Sequence, residues 1–210
     1  MRVDAKICGI TTPNILAACR REGVSHVGLN FVETSPRYLD PSAAAELAKQ
    51  AAGMMKVGLF VRPTDADIDA ARPALDAIQL HGDEPPERLA ELGARTGLPV
   101  WKALGIASLA DLADSRRYHE VADLILYDAK PPSAATRAGG HGVRFDWDML
   151  TGHDKPRRWG LAGGLTPENV ARAIAATGAP LVDTASGVEE AVGQKSAAKI
   201  ADFMEAVRTS

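Results

Sequence analysis

The segment Arg157–Ala176 reads RRWGLAGGLTPENVARAIAA, and it has the pattern of one β-strand followed by one α-helix. The stretch Arg157–Ala162 carries the strand signal, and the pair Gly163-Gly164 permits a tight turn after it. The tripeptide Thr166-Pro167-Glu168 contains residue types that commonly begin helices, and Pro167–Ala176 has apolar residues at helical spacing. This segment therefore predicts one strand–helix unit, with a helix that starts at Pro167.

The same unit recurs along the chain. Short apolar and β-branched runs predict eight strands, at Arg2–Cys8, Val24–Phe31, Met54–Val61, Asp76–Leu80, Pro99–Leu104, Ala122–Tyr127, Arg157–Ala162 and Pro180–Thr184. Stretches with helical spacing alternate with them, at Asn14–Arg21, Pro41–Ala52, Asp65–Arg72, Pro85–Thr96, Ser108–Arg117, Asp146–Leu150, Pro167–Ala176 and Ala197–Val207. Such alternation gives parallel neighbouring strands. We therefore predict an α/β protein that is a single (β/α)8 (TIM) barrel, with residues 1–210 as one domain.

A doubly wound open sheet uses the same alternation with fewer strands and is the alternative fold. Such sheets usually carry a glycine-rich dinucleotide fingerprint after the first strand, whereas this chain has Cys8-Gly9-Ile10-Thr11-Thr12-Pro13 there. The glycine-rich stretch Ala138–Gly142 lies inside the sixth strand–helix unit and is not a linker. The five histidines lack metal-ligand spacing. The barrel remains the preferred interpretation, and neither a nucleotide cofactor nor a metal is expected.

Composition narrows the class of protein. The chain has 210 residues, of which 46% are hydrophobic, and a net charge of −3 with interleaved signs. Nucleic acid and anionic membranes are therefore not expected as partners. No stretch approaches the roughly 20 apolar residues of a membrane span. The two cysteines, Cys8 and Cys19, in a chain without a recognisable secretory leader predict thiols in a reducing compartment, the cytoplasm.

Two candidate catalytic residues lie where predicted strands end, which is where a barrel of this kind has its active site. Alternation along strand one places Cys8 on the barrel-interior face together with Lys6, and alternation along strand six does the same for Asp128. A thiol and a carboxylate on opposite strands could act as base and acid on a small substrate. The alternatives are a buried structural cysteine and a carboxylate that caps a helix or pairs with Lys130.

Further polar residues and glycine turns share this end of the barrel. Arg37 follows strand two, and Gln79 and His81 share one face at the end of strand four. A solvated loop charge is the simpler interpretation of Arg37, and a turn residue that of His81. The turns Gly163-Gly164 and Ser186-Gly187 follow strands seven and eight, where this fold commonly binds phosphate through backbone N–H groups. A phosphorylated small-molecule ligand is therefore expected.

These features occur together in a known family. The sequence closely resembles the phosphoribosylanthranilate isomerases along its whole length, through the segments Lys6–Thr11, Ser35–Arg37, Lys56–Val61, Gln79–Asp83, Phe145–Trp147, Ala162–Val170 and Ser186–Glu189. The KICG start, QLHG and SGVE are specific to that family, whereas the AGGL turn is shared by many barrels. The resemblance implies a (β/α)8 isomerase of tryptophan biosynthesis that needs no cofactor. A monomer or homodimer is expected.

The resemblance also implies roles for the candidate residues in an Amadori rearrangement of N-(5′-phosphoribosyl)anthranilate. Cys8 would be the general base that removes the C2′ proton, and Asp128 the general acid that protonates the ring oxygen. Arg37 would bind the anthranilate carboxylate, and Gln79 and His81 would line the pocket. Cys8 must then be a thiolate, which a positive neighbour such as Lys6 favours. Asp128 must carry a proton, which the end of an apolar row favours.

The chain departs from the family pattern at four positions, Asn30, His141, Thr184 and Ala185. The family commonly has Val or a similar residue at the first, Thr at the second and Val-Ser at the last two. None of these changes removes a catalytic residue type. Ala185 leaves Ser186 as the only hydroxyl beside the expected phosphate, so phosphate affinity is the property expected to change.

Two other functions compete with this interpretation. Isomerases that also rearrange the aminoimidazole intermediate of histidine biosynthesis use paired aspartates and repeat their phosphate motif with two-fold symmetry. Here strand one ends in Cys8, and the turn His81-Gly82-Asp83 after strand four has no Gly-Gly pair. A non-catalytic module that binds a phosphorylated ligand is the second alternative, and the presence of both Cys8 and Asp128 speaks against it.

Overall fold

The computed structural model describes residues 2–130 and 146–210. Eight parallel strands close into a barrel in sequence order, with β8 hydrogen-bonded to β1. These strands are β1 Asp4–Cys8, β2 His26–Asn30, β3 Met55–Phe60, β4 Ala77–Leu80, β5 Val100–Ile106, β6 Leu124–Ala129, β7 Trp159–Leu161 and β8 Leu181–Thr184. The (β/α)8 prediction is confirmed, and the open sheet is excluded because the barrel has no free edge.

Helices follow the strands around the outside of the barrel. The α-helices are α1 Pro13–Arg21, α2 Pro41–Ala48, α3 Asp65–Ala71, α4 Pro86–Thr96, α5 Leu109–Ser115, α6 Val170–Thr177 and α7 Ala197–Arg208. Short 3₁₀ helices occupy Arg72–Ala74, Arg116–Tyr118, Trp147–Leu150 and Ser186–Val188. Side chains of Thr12, Asp40, Thr64 and Ser108 accept backbone N–H bonds at helix starts.

Several predicted boundaries are wrong, and tertiary contacts explain why. The helix expected at Pro167 begins at Val170, because Asn169 Oδ1 accepts the Thr166 N–H and closes a turn first. The helix expected at Asp146–Leu150 is a 3₁₀ helix, and α2 ends at Ala48 rather than Ala52. Strands β5 and β6 pair with each other as far as Ile106 and Ala129, two residues beyond their predicted ends. Asp128 therefore lies within β6 rather than after it.

Apolar side chains fill the two compartments that this architecture creates. The larger cluster packs the outer faces of the strands against the helices. The smaller cluster plugs the barrel interior, with Val57, Ala77, Trp101, Ala103, Leu126 and Leu181 as its buried members. Leu126 and Ala77 share a strand face with Asp128 and Gln79, respectively. The plug therefore supports a layer of polar residues toward the C-terminal ends of the strands.

Between β8 and α7 the chain forms a small antiparallel hairpin of β9 Glu189–Ala191 and β10 Gln194–Lys195. In the described part of the chain, no helix is long and apolar enough to cross a membrane. Within the same residues, no group of three or more His, Cys, Asp or Glu could hold a metal ion. The stretch Ala138–Gly142, with His141, and the motif residue Phe145 lie outside the described residues.

Candidate active site

One pocket at the C-terminal ends of the strands brings the nine predicted site residues together. Its lining includes Cys8, Arg37, Gln79, His81, Asp128, Gly163, Gly164, Ser186 and Gly187. The residues come from six different strand ends or the loops after them, so only the closed barrel makes them neighbours. A thiol, a carboxylate, a guanidinium and two glycine turns thus face one ligand-sized space.

Cys8 ends β1 with its side chain inside the barrel, as the alternation predicts, and it is 6% exposed. It lies opposite Gly28 on β2. A Cβ atom at Gly28 would lie 2.7 Å from Cys8 Sγ and 2.9 Å from its Cα, closer than atoms pack. Gly28 therefore makes the room in which the thiol lies, a role that the sequence analysis did not identify.

A buried ion pair lies beneath Cys8. Lys6 Nζ donates a hydrogen bond of 2.9 Å to Asp183 Oδ2, and the Lys6 side chain has no exposed surface. Within the described residues, the buried Asp183 Oδ1 has no hydrogen-bond partner, and Asp183 lines the pocket. Asp183 was not among the predicted site residues. Its position on the interior face of β8, in register with Lys6 of β1, is the signal that could have identified it.

The environment of Cys8 favours the thiol more than expected. Burial raises the pKa of the Cys8 thiol, and the positive charges of Lys6 and Lys195 only partly oppose this effect. Burial by itself lowers the pKa of Lys6, but Asp183 and Cys8 outweigh it, so the Lys6 pKa is raised and the ammonium persists. A positive neighbour is therefore present, as expected, yet it does not by itself make Cys8 a thiolate at neutral pH.

Asp128 has polar neighbours rather than the purely apolar setting that the sequence suggested. Its Oδ1 accepts the N–H of Ala129 at 2.7 Å, and its Oδ2 lies 3.2 Å from His81 Nε2. The side chains of Asp128 and His81 are 14% and 16% exposed, so both reach the pocket. This hydrogen bond fixes Oδ1. Oδ2, beside His81, remains free to contact a ligand. Among the described residues, Lys130 pairs with Asp111 and not with Asp128, so the ion-pair alternative is not supported.

Gln79 lies deeper in the same pocket. It is 1% exposed, and its Oε1 has no hydrogen-bond partner among the described residues. A buried amide oxygen without a partner is costly, so a donor from a bound ligand would satisfy it.

Arg37 is buried and is not the solvated loop charge considered as its alternative. Its Nε and Nη2 donate parallel hydrogen bonds of 2.7 and 2.8 Å to the two oxygens of Glu189. Only the other edge of the guanidinium remains for a ligand. Glu189 was not among the predicted site residues, although it belongs to the SGVE segment.

The backbone geometry and the close packing of the two turns require glycine at these positions. Gly163 and Gly164 have φ angles of +89° and +65°, which disfavour other residues. A Cβ at Gly163 would lie 2.4 Å from the Ala129 nitrogen, and one at Gly187 would lie 1.9 Å from the Leu165 oxygen. Among the described residues, no acceptor takes the N–H groups of Gly163 and Gly164. The turns are thus tightly packed and still offer backbone donors to the pocket.

Comparison with known proteins gives this arrangement a family. A family model described as N-(5′-phosphoribosyl)anthranilate (PRA) isomerase matches residues 5–206. The chain belongs to the PRA isomerase family. An N-(5′-phosphoribosyl)anthranilate isomerase of Paracoccus denitrificans is 52% identical over 207 residues, which are 97% of this chain and 96% of the relative. The resemblance found in the sequence motifs is therefore confirmed.

Solved PRA isomerase structures have the same fold. Monomers generated from the dimeric enzyme of Thermotoga maritima superpose with a TM-score of 0.86 at 33% identity, covering 99% of this chain and 100% of theirs. A PRA isomerase in complex with reduced 1-(o-carboxyphenylamino)-1-deoxyribulose 5-phosphate gives a TM-score of 0.86 at 32% identity, with the same coverage.

The departures from the PRA isomerase pattern have structural roles here. Asn30 Nδ2 donates to Ser35 Oγ, and the same Oγ accepts the N–H of Arg37. Asn30 therefore helps to order the loop that carries Arg37. Thr184 Oγ1 donates to the Leu165 oxygen at 2.7 Å, which joins the end of β8 to the turn after β7. Ala185 lines the pocket without a polar side chain.

Proposed function

We propose that this chain catalyses the Amadori rearrangement of N-(5′-phosphoribosyl)anthranilate to 1-(2-carboxyphenylamino)-1-deoxyribulose 5-phosphate, a step of tryptophan biosynthesis. Residues 1–210 would form the single catalytic domain. The observation that carries the proposal is that Cys8 and Asp128 line one pocket with a guanidinium and two glycine turns. Family membership supports the same activity.

Asp128 acts as the general acid. Protonation of the furanose ring oxygen lets the C1′–O bond break, and the anthranilate nitrogen then forms a double bond to C1′. Because Oδ1 is held by the Ala129 N–H, the proton is carried on Oδ2, beside His81. His81 keeps that oxygen oriented toward the substrate.

Cys8 acts as the general base in the following step. It removes the proton from C2′, which gives an enolamine that tautomerises to the aminoketose, so the reaction only rearranges the atoms of the substrate. The base must be the thiolate, and burial opposes that form. Lys6 and Lys195 are the cations that favour it, and activity is expected to rise with pH as Cys8 ionises.

Phosphate is bound by the turns Gly163-Gly164 and Ser186-Gly187. Their backbone N–H groups can approach an anion closely, since glycine has no side chain in the way. Ser186 also begins the 3₁₀ helix Ser186–Val188, and Ala185 leaves its hydroxyl as the single one beside the phosphate. A crystal structure with a bound substrate analogue would test the site, and a phosphate found elsewhere in the pocket would contradict it.

A second, histidine-pathway substrate is not favoured. A two-fold symmetric barrel would place its second phosphate at the ends of β3 and β4, opposite β7 and β8. Here the carboxylate of Glu84 already accepts the N–H groups of Arg62 and Gly82, at 2.6 and 3.0 Å. Lys102 Nζ neutralises this carboxylate at 2.8 Å. The chain's own carboxylate thus occupies the place of the second phosphate.

We also propose a cytoplasmic monomer or homodimer that binds neither nucleic acid nor membranes. The net charge of −3 and the two cysteines support this proposal, and one relative is a dimeric enzyme. Analytical ultracentrifugation of the purified protein would distinguish the two states.

The decisive experiment is a turnover assay. N-(5′-phosphoribosyl)anthranilate is generated in situ, and the loss of its fluorescence is followed after the purified protein is added. Loss of fluorescence that requires the protein supports the proposal. A folded protein that binds the substrate without turnover would instead support the non-catalytic binding module.

A further inference from the structure

Arg37 lines the pocket, and charged residues that do not line the pocket hold it from the side facing away from the pocket. Glu189 accepts the two hydrogen bonds from Arg37 described above, and Lys195 Nζ makes an ion pair with the same carboxylate. We call Arg37, Glu189 and Lys195 the Arg37 cluster. Their side chains are 7%, 4% and 1% exposed, so the cluster is shielded from solvent.

The cluster fixes the orientation of the guanidinium. A long Arg side chain has many rotamers, but two parallel hydrogen bonds to one carboxylate leave a single orientation. Because the Nε–Nη2 edge is used by Glu189, the Nη1–Nη2 edge is the one left for a second carboxylate. That second edge matches the planar carboxylate of the proposed substrate.

The cluster also carries an excess positive charge. Burial lowers the pKa of the Lys195 ammonium, and the bond to Glu189 opposes that effect. With Lys195 protonated, Arg37 and Lys195 contribute two positive charges and Glu189 one negative charge, so the three side chains sum to +1. The Glu189 carboxylate is held ionised, because its hydrogen bonds to Arg37 and Lys195 outweigh its burial and lower its pKa to about 2. A buried charge is costly unless an opposite charge balances it. An anionic ligand group bound at Arg37 would balance the excess positive charge of the cluster.

The hairpin β9–β10 holds the cluster in place. Its register sets Lys195 opposite Glu189, and the Gly193 N–H donates to Glu189 Oε2 at 3.1 Å. Gly193 has φ +80°, and a Cβ there would lie 2.8 Å from the Pro36 oxygen. The hairpin turn is thus packed against the residue that precedes Arg37.

Arg37 is packed on its other side by the loop after β1. A Cβ at Gly9 would lie 2.5 Å from Arg37 Cδ, so the glycine lets the Arg37 stem pass next to the strand that ends in Cys8. The guanidinium is therefore fixed relative to the proposed base.

We propose that Glu189 and Lys195 are positioning residues that set the specificity of this site for a substrate bearing an aryl carboxylate. Glu189 holds Arg37 with one edge toward the pocket, and Lys195 keeps the cluster positively charged although Glu189 is present. This inference rests on the proposed function for the identity of the substrate, but its test does not require turnover.

The test compares two stable ligands that differ only in the carboxylate. Reductive amination of ribose 5-phosphate with anthranilate or with aniline gives 1-(2-carboxyphenylamino)-1-deoxyribitol 5-phosphate and its phenylamino counterpart. Isothermal titration then measures the Kd of both for the wild type, Glu189→Gln and Lys195→Met. The wild type should prefer the carboxylated ligand by about tenfold or more, because charge-assisted hydrogen bonds to Arg are strong. Both variants should lose most of that preference and bind the phenylamino ligand nearly as before.

A kinetic measurement supports the titration. The carboxylate of the substrate does not react. Losing its contact with Arg37 should therefore weaken the binding of the substrate and of the transition state equally. Glu189→Gln should raise KM for N-(5′-phosphoribosyl)anthranilate by about tenfold and change kcat much less. Glu190→Gln is the matched control, since the neighbouring Glu190 is exposed and belongs to no part of the cluster.

The outcomes separate the two proposals. Equal weakening of both ligands in the variants, or an unchanged preference, would overturn the positioning role. Absence of turnover in the wild type would overturn the proposed function, whatever the titrations give. Circular dichroism reports whether each variant folds, and Lys195→Met, which leaves the Arg37–Glu189 bonds in place, carries the test if Glu189→Gln does not fold.

Discussion

Lys6 Nζ lies 2.9 Å from Asp183 Oδ2 at the seam where the last strand of the barrel pairs with the first. The pair is buried between the apolar plug and Cys8, which follows Lys6 by two residues on the same face of β1. Because water does not screen it there, its charges act on Cys8 more strongly than surface charges would. The seam of the barrel and the chemistry of the site therefore depend on the same two side chains.

The first prediction concerns this cation. Lys6→Met removes the largest effect that lowers the pKa of Cys8, so that pKa should rise further. If the thiolate is the base, the rising limb of the profile of kcat/KM against pH should move to higher pH. The profile is measured by the fluorescence assay between about pH 7 and pH 11, a window that covers the ordinary Cys pKa and the higher values that burial causes.

Lys102→Met is the matched control for this prediction. Lys102 is also buried within an ion pair, with Glu84, but it does not line the pocket. Its variant should leave the rising limb where it is in the wild type. A Lys6→Met enzyme with an unshifted profile would show that the ionisation of Cys8 does not control the rate.

The second prediction tests the acid and the base. Cys8→Ser and Asp128→Asn should each lower kcat by about 10²–10⁴-fold, because each group acts in a different step and neither replaces the other. Ser nearly preserves the volume of Cys8 but does not ionise near neutral pH. Cys19→Ser is a matched control, since Cys19 is a fully buried residue of α1, where burial raises its pKa to about 12. A folded Cys8→Ser enzyme that keeps more than about a tenth of the wild-type kcat would require another base.

Sequence patterns predict those features that depend on residues close together along the chain. Each strand–helix unit leaves its own apolar periodicity, so eight strands were found, and strand alternation correctly placed Cys8 and Asp128 inside the barrel. The boundaries that failed depend on other elements. Strand β6 continues to Ala129 because β5 pairs with it to the end, and α6 begins late because Asn169 closes the turn before it.

The parts of the site that were missed depend on long-range partners. Arg37 and Glu189 are 152 positions apart, and Lys6 and Asp183 are 177 positions apart. No local pattern distinguishes a guanidinium held by a distant carboxylate from one in solvent. The polar setting of Asp128 was missed for the same reason, since His81 comes from β4's end and approaches only when the barrel closes.

The third prediction concerns the turn after β7. Gly163→Ala adds a Cβ 2.4 Å from the Ala129 nitrogen at a φ of +89°, so it combines a collision with backbone strain. Gly178→Ala is the control, because Gly178 has φ +66° and no atom within 4 Å of the added Cβ. The control should lose about 1–2 kcal/mol of unfolding free energy from strain alone. Gly163→Ala should lose clearly more, as measured by urea denaturation.

Activity should separate these two variants as well. Ala129 holds Asp128 Oδ1 through its N–H, so a shift of Ala129 displaces the proposed acid. Gly163→Ala should therefore lower kcat, whereas Gly178→Ala should keep it. Equal unfolding free energies for the two variants would mean that the turn relaxes without moving β6.

The last prediction concerns the acid stability of the Arg37 cluster. The pKa of Glu189 is about 2 in the folded protein, against an ordinary value of 4.5. A carboxyl whose folded pKa is lowered stabilises the protein above its unfolded pKa, and this contribution is lost as the pH falls through the folded pKa. The unfolding free energy of the wild type should thus decrease between about pH 4.5 and pH 2 by an amount that Glu189→Gln lacks. The linkage corresponds to about 3 kcal/mol in order of magnitude.

Urea denaturation at several pH values measures this difference in unfolding free energy, with the exposed Glu190→Gln expected to follow the wild type. Parallel curves for Glu189→Gln and the wild type across this window would show that Glu189 is not held ionised by Arg37 and Lys195.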